Sequence, residues 1–391
     1  MNGDIPPARR APQGSDVALA GPGPRKGAQK RTALADGVER IIHPITDFRG
    51  PDIFKPTGGY GATPGYSPAV LDPAERWRRY HGHDWKASWA GLPTFADLPY
   101  TEDPAELRGV DVAVVGAPMD ELVTNAPGTR FGPRAIRAVS PTTAYHLETR
   151  LDWSERLRGV DYGDAPVVPT DAAASHLAIE DTVGEVARAG AIPIVLGGDH
   201  SITEPDLRAC AAVHGPLGLI HFDAHADTAA TLYGQELSHG TPMYRLVEQG
   251  HVSPERYVQI GLRGFWPEEA EMRWQAERGI TSFLMPEVTS LGIDRVVERA
   301  VEIAGAGPIF LTVDIDVLDP AFAPGTGTPE PGGMTPAELL SACRTVAARL
   351  RLVGIDVVEV APTGLADRTA LVADRIVREV LSGIALARAA G

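Results

Sequence analysis

The chain has 391 residues, 43 % of them hydrophobic, and a formal net charge of −15. The acidic balance argues against nucleic acid and anionic membranes as partners and mildly favours a cationic small molecule. With only Cys210 and Cys343 there is no disulfide framework, and without a secretory signal core or an uncharged apolar run of about 18 residues, a cytoplasmic protein with no membrane span is expected.

Residues 1–32 are rich in Pro, Gly, Ala and Arg with little apolar periodicity, and read as a disordered tail. Residues 33–105 form an aromatic, Pro-rich arm (Phe54, Tyr60, Tyr66, Trp77, Tyr80, Trp85, Trp89), expected to pack on the main body or on a neighbouring subunit. The main domain spans 106–391. Its predicted strands are Val110–Gly116, Gly159–Tyr162, Ile192–Leu196, Leu217–Phe222, Tyr257–Leu262, Ile280–Leu284, Ile309–Val313 and Leu352–Val358. Helical patterns separate most of them: Ala178–Ala189, Pro205–Val213, Glu268–Glu277, Asp294–Ile303, Pro336–Leu350 and Thr369–Ala389. Strands that are apolar throughout are buried on both faces, so this alternation predicts an α/β fold with an eight-stranded parallel sheet and helices on both faces. A closed (β/α)₈ barrel stays open as the alternative. In open sheets of this kind the chemistry sits beyond the carboxyl ends of the strands.

Three strand ends carry a dense set of ligand-type residues. Gly197-Gly198-Asp199-His200-Ser201 follows the third strand, where the glycines permit a tight turn and close backbone approach. Asp223-Ala224-His225-Ala226-Asp227 follows the fourth; on an extended chain its i, i+2, i+4 spacing puts three side chains on one face. Asp314-Ile315-Asp316 follows the seventh with the same logic. Singly, each is often structural: a solvated turn or a satisfied histidine. Together they supply four carboxylates and two imidazoles, too many for one ion and suited to two. Buried like charges need a cation or a proton. A carboxylate-rich set without thiolate favours Mn²⁺, with Ni²⁺, Co²⁺ and Zn²⁺ open.

These three motifs resemble the signatures of the ureohydrolases, the superfamily of arginases, agmatinases and guanidino-acid hydrolases. The likeness covers roughly residues 110–385. It implies the three-layer arginase-like fold, a homotrimer or homohexamer, and two Mn²⁺ per chain that activate a water. It assigns His200, Asp223, Asp227 and Asp314 to one ion and Asp223, His225, Asp314 and Asp316 to the other. Ser238-His239-Gly240-Thr241-Pro242 resembles the family's catalytic-histidine loop, and Ile355-Asp356-Val357-Val358-Glu359 the strand whose Glu contacts the guanidinium. On that basis Glu359 orients the substrate, Asp227 hydrogen-bonds the attacking hydroxide, and His239 carries the proton to the leaving amine.

The polar residues that read the head of arginine in arginases are replaced here by Ala229, Gln235 and Leu237. The segment Gly116–Arg137 resembles the agmatinase branch and contributes Asn125 and Arg130 as candidate substrate contacts. Agmatine is therefore the expected substrate. Thr231–Pro242 is comparably similar to guanidinobutyrate hydrolases, which makes a guanidinobutyrate or guanidinopropionate hydrolase the alternative, and the long N-terminal arm, which some free-guanidine hydrolases of the superfamily share, keeps free guanidine open. A non-catalytic metal protein is the reading from another class; the complete set of ligands and catalytic candidates argues against it.

Overall fold

The computed structural model describes residues 90–390 except 143, 365 and 366. All of them belong to one compact unit, Leu71–Gly391. The tail and residues 33–89 of the arm lie outside the described residues.

In chain order the strands are β1 (Val112–Ala117), β2 (Tyr145–His146), β3 (Leu151–Asp152), β4 (Gly159–Asp164), β5 (Ile192–Gly197), β6 (Leu217–Phe222), β7 (Val252–Leu262), β8 (Thr281–Leu284), β9 (Pro308–Asp314) and β10 (Arg351–Val358). The helices are α1 (Gly132–Val139), α2 (Ala172–Arg188), α3 (Thr203–His214), α4 (Pro242–Glu248) and α5 (Glu269–Arg278). They continue with α6 (Met285–Leu291), α7 (Ile293–Ala304), α8 (Pro336–Arg349) and α9 (Arg368–Ala390). Eight strands form one sheet in the order β4-β1-β5-β10-β9-β6-β7-β8, every neighbouring pair parallel. The sheet is open, ending at β4 and β8, which disposes of the barrel alternative.

Successive side chains of each strand feed two separate cores, as the two-residue period of a strand requires. Val112 and Val114 of β1, Ile194 and Leu196 of β5, and Ile355 and Val357 of β10 pack with α1, α7, α8 and α9. Ala113 and Val115 of β1, Val195 of β5 and Val358 of β10 pack with α2, α3 and α4 on the opposite face. The result is three layers, with helices on both faces as expected.

Several elements differ from the sequence expectation for local reasons. Helices α1, α4 and α6 are seven or eight residues long and open on a Pro at the first or second position. They are too short to show a helical period but well suited to start one. Helix α2 begins at Ala172, not at Ala178, because the Asp171 side chain caps it by accepting from the Ala174 N–H at 3.0 Å. The end of the predicted arm packs on the edge of the sheet. Phe95 is fully buried, its N–H donates to Asp161 Oδ2 at 2.8 Å, and the Thr101 N–H donates to the Asp161 carbonyl at 3.0 Å.

Consecutive strands β5 and β6 are separated in the sheet by β10 and β9. The four strands that carry the suspect residues are therefore side by side, and their carboxyl ends open on one crevice.

Candidate metal centre and active site

The loop after β5 is built around backbone contact. A Cβ on Gly198 would meet the Ala117 carbonyl oxygen at 2.5 Å and that of Met119 at 2.6 Å, so only glycine fits. Asp199 Oδ1 accepts the Ser201 N–H at 3.0 Å and opens the short 3₁₀ turn His200–Ile202. This sets His200 at zero exposure with its two ring nitrogens in different surroundings. Nε2 is hydrogen-bonded to Thr312 Oγ1 at 3.0 Å. Nδ1 points among Asp227 Oδ2 (2.9 Å), Asp223 Oδ2 (3.0 Å) and Asp314 Oδ2 (3.2 Å), without a hydrogen bond of its own.

The convergence of the acids follows the sequence expectation; the means of achieving it do not. Strand β6 stops at Phe222, and Asp223–Asp227 is a loop in which Asp227 adopts φ 52°. Ala224 and Ala226 are nonetheless fully buried, where larger side chains would obstruct packing. Asp314 closes β9, but Asp316 lies in the 3₁₀ turn Ile315–Val317 and its N–H donates to Asp314 Oδ1 at 2.8 Å. Turns, not strand alternation, bring these side chains together.

A second group adjoins the first. His225 Nδ1 lies 3.0 Å from Asp316 Oδ2 and 3.5 Å from Asp223 Oδ1. Asp223 thus reaches both groups, one oxygen to each. Asp314 is seen against His200 in the first group. Burial, then the neighbouring charges of Asp316 and Asp223, push the Asp314 carboxyl well above the ordinary range. Three carboxylates around the His200 imidazole nitrogen, with Asp316 beside His225 next to them, are the donor chemistry of a divalent cation pair, and the residues fit one.

Beside this cluster sits the predicted catalytic histidine. His239 is buried, its Nδ1 2.9 Å from Glu359 Oε1 and its Nε2 2.8 Å from the Thr124 hydroxyl. Burial alone would lower its pKa; the hydrogen bond to Glu359 and the charge of that residue raise it to about 9. Glu359 is 1 % exposed and held at φ 60°. Its Oε1 also accepts the His200 main-chain N–H at 2.9 Å, while Oε2 has no partner.

A cavity of about 230 Å³ opens over the cluster. Thr124, His225, Asp227, His239, Asp314 and Thr328 line it, together with Leu232, Tyr233, Gly240 and Trp266. Tyr233 (83 % exposed) and Trp266 (39 %) belong to its solvent side. Glu359 is not on the wall but touches it through His239. A larger cavity of about 640 Å³ lies near Tyr145, His146 and α9 and contains none of these residues.

Two expected substrate contacts are placed elsewhere. Asn125 Nδ2 donates to the Gly327 carbonyl at 2.6 Å, and Arg130 is paired with Asp120 and Glu121. Neither lines the cavity. Conversely, the sequence reading passed over Thr124, Thr328, Leu232, Tyr233 and Trp266. Thr124, Leu232 and Tyr233 lie within segments singled out for their resemblance, which was the one available signal.

Fold and site together define an α/β protein with a candidate metal centre at the carboxyl ends of its central strands, and the comparisons narrow it. Residues 110–383 match the Arginase family model, and the chain belongs to that family. It is 42 % identical over 296 residues to the guanidinopropionase of Pseudomonas aeruginosa, covering 75 % of this chain and 92 % of that protein. It is 39 % identical over 318 residues to the agmatinase of Chromobacterium violaceum, covering 79 % and 94 %. The solved proclavaminate amidinohydrolase of Streptomyces clavuligerus superposes with a TM-score of 0.72 at 36 % identity, covering 77 % of this chain and all of that one. The chain falls in the agmatinase-like branch and is a hydrolase of guanidino C–N bonds. No helix among the described residues is long and apolar enough to cross a membrane.

Proposed function

We propose that the chain hydrolyses agmatine to putrescine and urea with two Mn²⁺ ions. They would be held by His200, Asp223, Asp227 and Asp314 on one side and Asp223, His225, Asp314 and Asp316 on the other. When bound, the ions supply a water acidified enough to act near neutral pH. Asp227, on the cavity wall, accepts a hydrogen bond from the attacking group and aligns it. His239, the charged imidazole beside it, gives its proton to the departing amine. Glu359 lies behind the wall and keeps His239 charged; for its carboxylate to accept a guanidinium N–H, the substrate would have to reach past the cavity as it stands.

The observation that carries the substrate is the wall of the cavity. Among its described residues there is no Lys or Arg to receive a substrate carboxylate, while Trp266 and Tyr233 offer aromatic faces and Leu232 an apolar surface. A tail ending in an ammonium suits aromatic faces, and the net charge of −15 draws a cation. The similarity to the guanidinopropionase favours a second reading, a guanidino-acid hydrolase. Urea release from agmatine, guanidinobutyrate, guanidinopropionate, arginine and guanidine, each with Mn²⁺ or Ni²⁺, decides between them. Highest kcat/KM on agmatine supports the first reading; highest kcat/KM on either acid overturns it. We place the enzyme in the cytoplasm as a homotrimer or homohexamer, which sedimentation of the full chain would test.

A further inference from the structure

We propose that His221 is a positioning residue that holds one oxygen of Asp223 for one of the two ions only, the ion on the His200 side. The proposal rests on the two-cation reading of the site. His221 is the penultimate residue of β6 and belongs to a buried cluster beside the candidate metal centre, with His221, Tyr257 and Gln259 all at zero exposure.

The hydrogen-bond arithmetic fixes which nitrogen of His221 carries the proton. The Gln259 amide nitrogen donates to the Ala226 carbonyl at 2.7 Å and to the Tyr257 hydroxyl at 2.8 Å, which uses both of its hydrogens. It lies farther, 3.2 Å, from His221 Nδ1. The Tyr257 hydroxyl, already accepting, has its own hydrogen for His221 Nδ1 at 2.9 Å. Nδ1 is then an acceptor, so Nε2 bears the hydrogen and donates it to Asp223 Oδ2 at 2.8 Å. Both ring nitrogens are thereby occupied, and His221 is a support for the metal site, not a ligand, despite its closeness to His200 and Asp223.

The two oxygens of Asp223 are supported differently. Oδ1, on the His225 side, accepts the His225 main-chain N–H at 2.6 Å. Oδ2, which stands 3.0 Å from His200 Nδ1, is oriented by the His221 side chain. Removing the imidazole therefore frees only the oxygen that faces the His200-side ion. Such outer supports are typically worth about 10–100-fold in metal affinity.

The test is Mn²⁺ binding to the full chain, read as free Mn²⁺ by electron paramagnetic resonance and as metal content after dialysis against graded chelator. Wild type should bind two ions; fewer than two would sink the two-cation reading itself, whatever the variants do. His221→Phe should weaken one ion by about 10–100-fold and leave the other within about threefold. His221→Gln, whose amide can donate in place of Nε2–H, should recover most of the loss. Tyr257→Phe, which removes the group that sets the tautomer, should weaken the same ion by a smaller factor. In a His200→Ala background, where the His225-side ion remains, His221→Phe should have no further effect. Wild-type binding in His221→Phe, equal weakening of both ions, or an added loss in the His200→Ala background would overturn the proposal. Should His221→Phe fail to fold by circular dichroism, Tyr257→Phe decides: weakening of one ion supports the proposal, and unchanged binding overturns it.

Discussion

Replacing His239 by Asn separates proton transfer from metal binding. Asn keeps a polar group near the Nδ1 position, so the fold of the loop should survive, but it has no proton to give near neutral pH. Against the lowering effect of burial, the hydrogen bond to Glu359 and the charge of that residue raise the pKa of His239 from 6.5 to about 9. At pH 7.5 the charged form then exceeds the neutral one by about 30-fold, which is the state a proton donor needs. The wild-type kcat should accordingly fall through an alkaline limb near pH 9. In His239→Asn we expect kcat to drop by about 10²–10⁴-fold, KM to change little, and the limb to vanish. The same raised pKa has a consequence for stability. The folded form binds the proton more tightly than the unfolded form, so the contribution is complete below pH 6.5 and is lost as pH rises through 9; it amounts to about 3 kcal/mol. The assay is steady-state urea release from pH 6 to 10, with metal content on the same samples. Loss of metal would show that His239 is a ligand, and a surviving alkaline limb would show that another group supplies the proton.

Glu359→Gln keeps the shape but removes the charge that holds His239 and that the proposed guanidinium contact would use, so kcat should fall and KM rise together; unchanged kinetics would remove the guanidinium anchor. Asp223→Ala should cost both ions, because its two oxygens face the two imidazole groups at 3.0 and 3.5 Å, and full metal content by elemental analysis would contradict this. Arg137→Ala strips the buried Asp161 of a two-pronged ion pair (2.8 and 2.9 Å), leaving an uncompensated charge. Its unfolding free energy in urea should fall by about 3–5 kcal/mol, and a loss below 1 kcal/mol would show that Asp161 is neutral or finds another partner.

The sheet was legible because each central strand is buried on both faces and so reads as an unbroken apolar run, as in Ile-Pro-Ile-Val-Leu of β5. Its eight strands were found at nearly their observed places. The cluster of candidate ligands was legible because carboxylates crowded at strand ends are costly without a cation, whatever the local geometry. That geometry was not legible: extended alternation was expected for Asp223–Asp227 and Asp314–Asp316, and both proved to be turns. Short turns are set by side-chain bonds such as Asp316 N–H to Asp314 Oδ1 at 2.8 Å, which leave no period in the sequence. The cavity wall was legible least. Trp266 and Thr328 come from loops after β7 and β9, and only the fold says that those loops face His239.

Backbone strain completes the account of why these side chains meet. Asp227 and Glu359 both hold positive φ (52° and 60°), a conformation that costs a residue with a Cβ about 1 kcal/mol or more. Asp tolerates it better than Glu, whose longer side chain offers the backbone no local compensation. Glu359 is kept there by three bonds: its N–H donates to the Gly198 carbonyl at 2.8 Å, and its Oε1 accepts from the His200 N–H at 2.9 Å and from His239 Nδ1 at 2.9 Å. Two of these partners belong to the loop that carries His200. The turn that presents a candidate metal ligand therefore also fixes the acid that holds His239, and the strained residue joins the His200 loop to His239 through its bonds to the loop backbone. A relaxed extended conformation at position 359 would break this set of contacts, which is the physical reason for strain to sit at the end of β10.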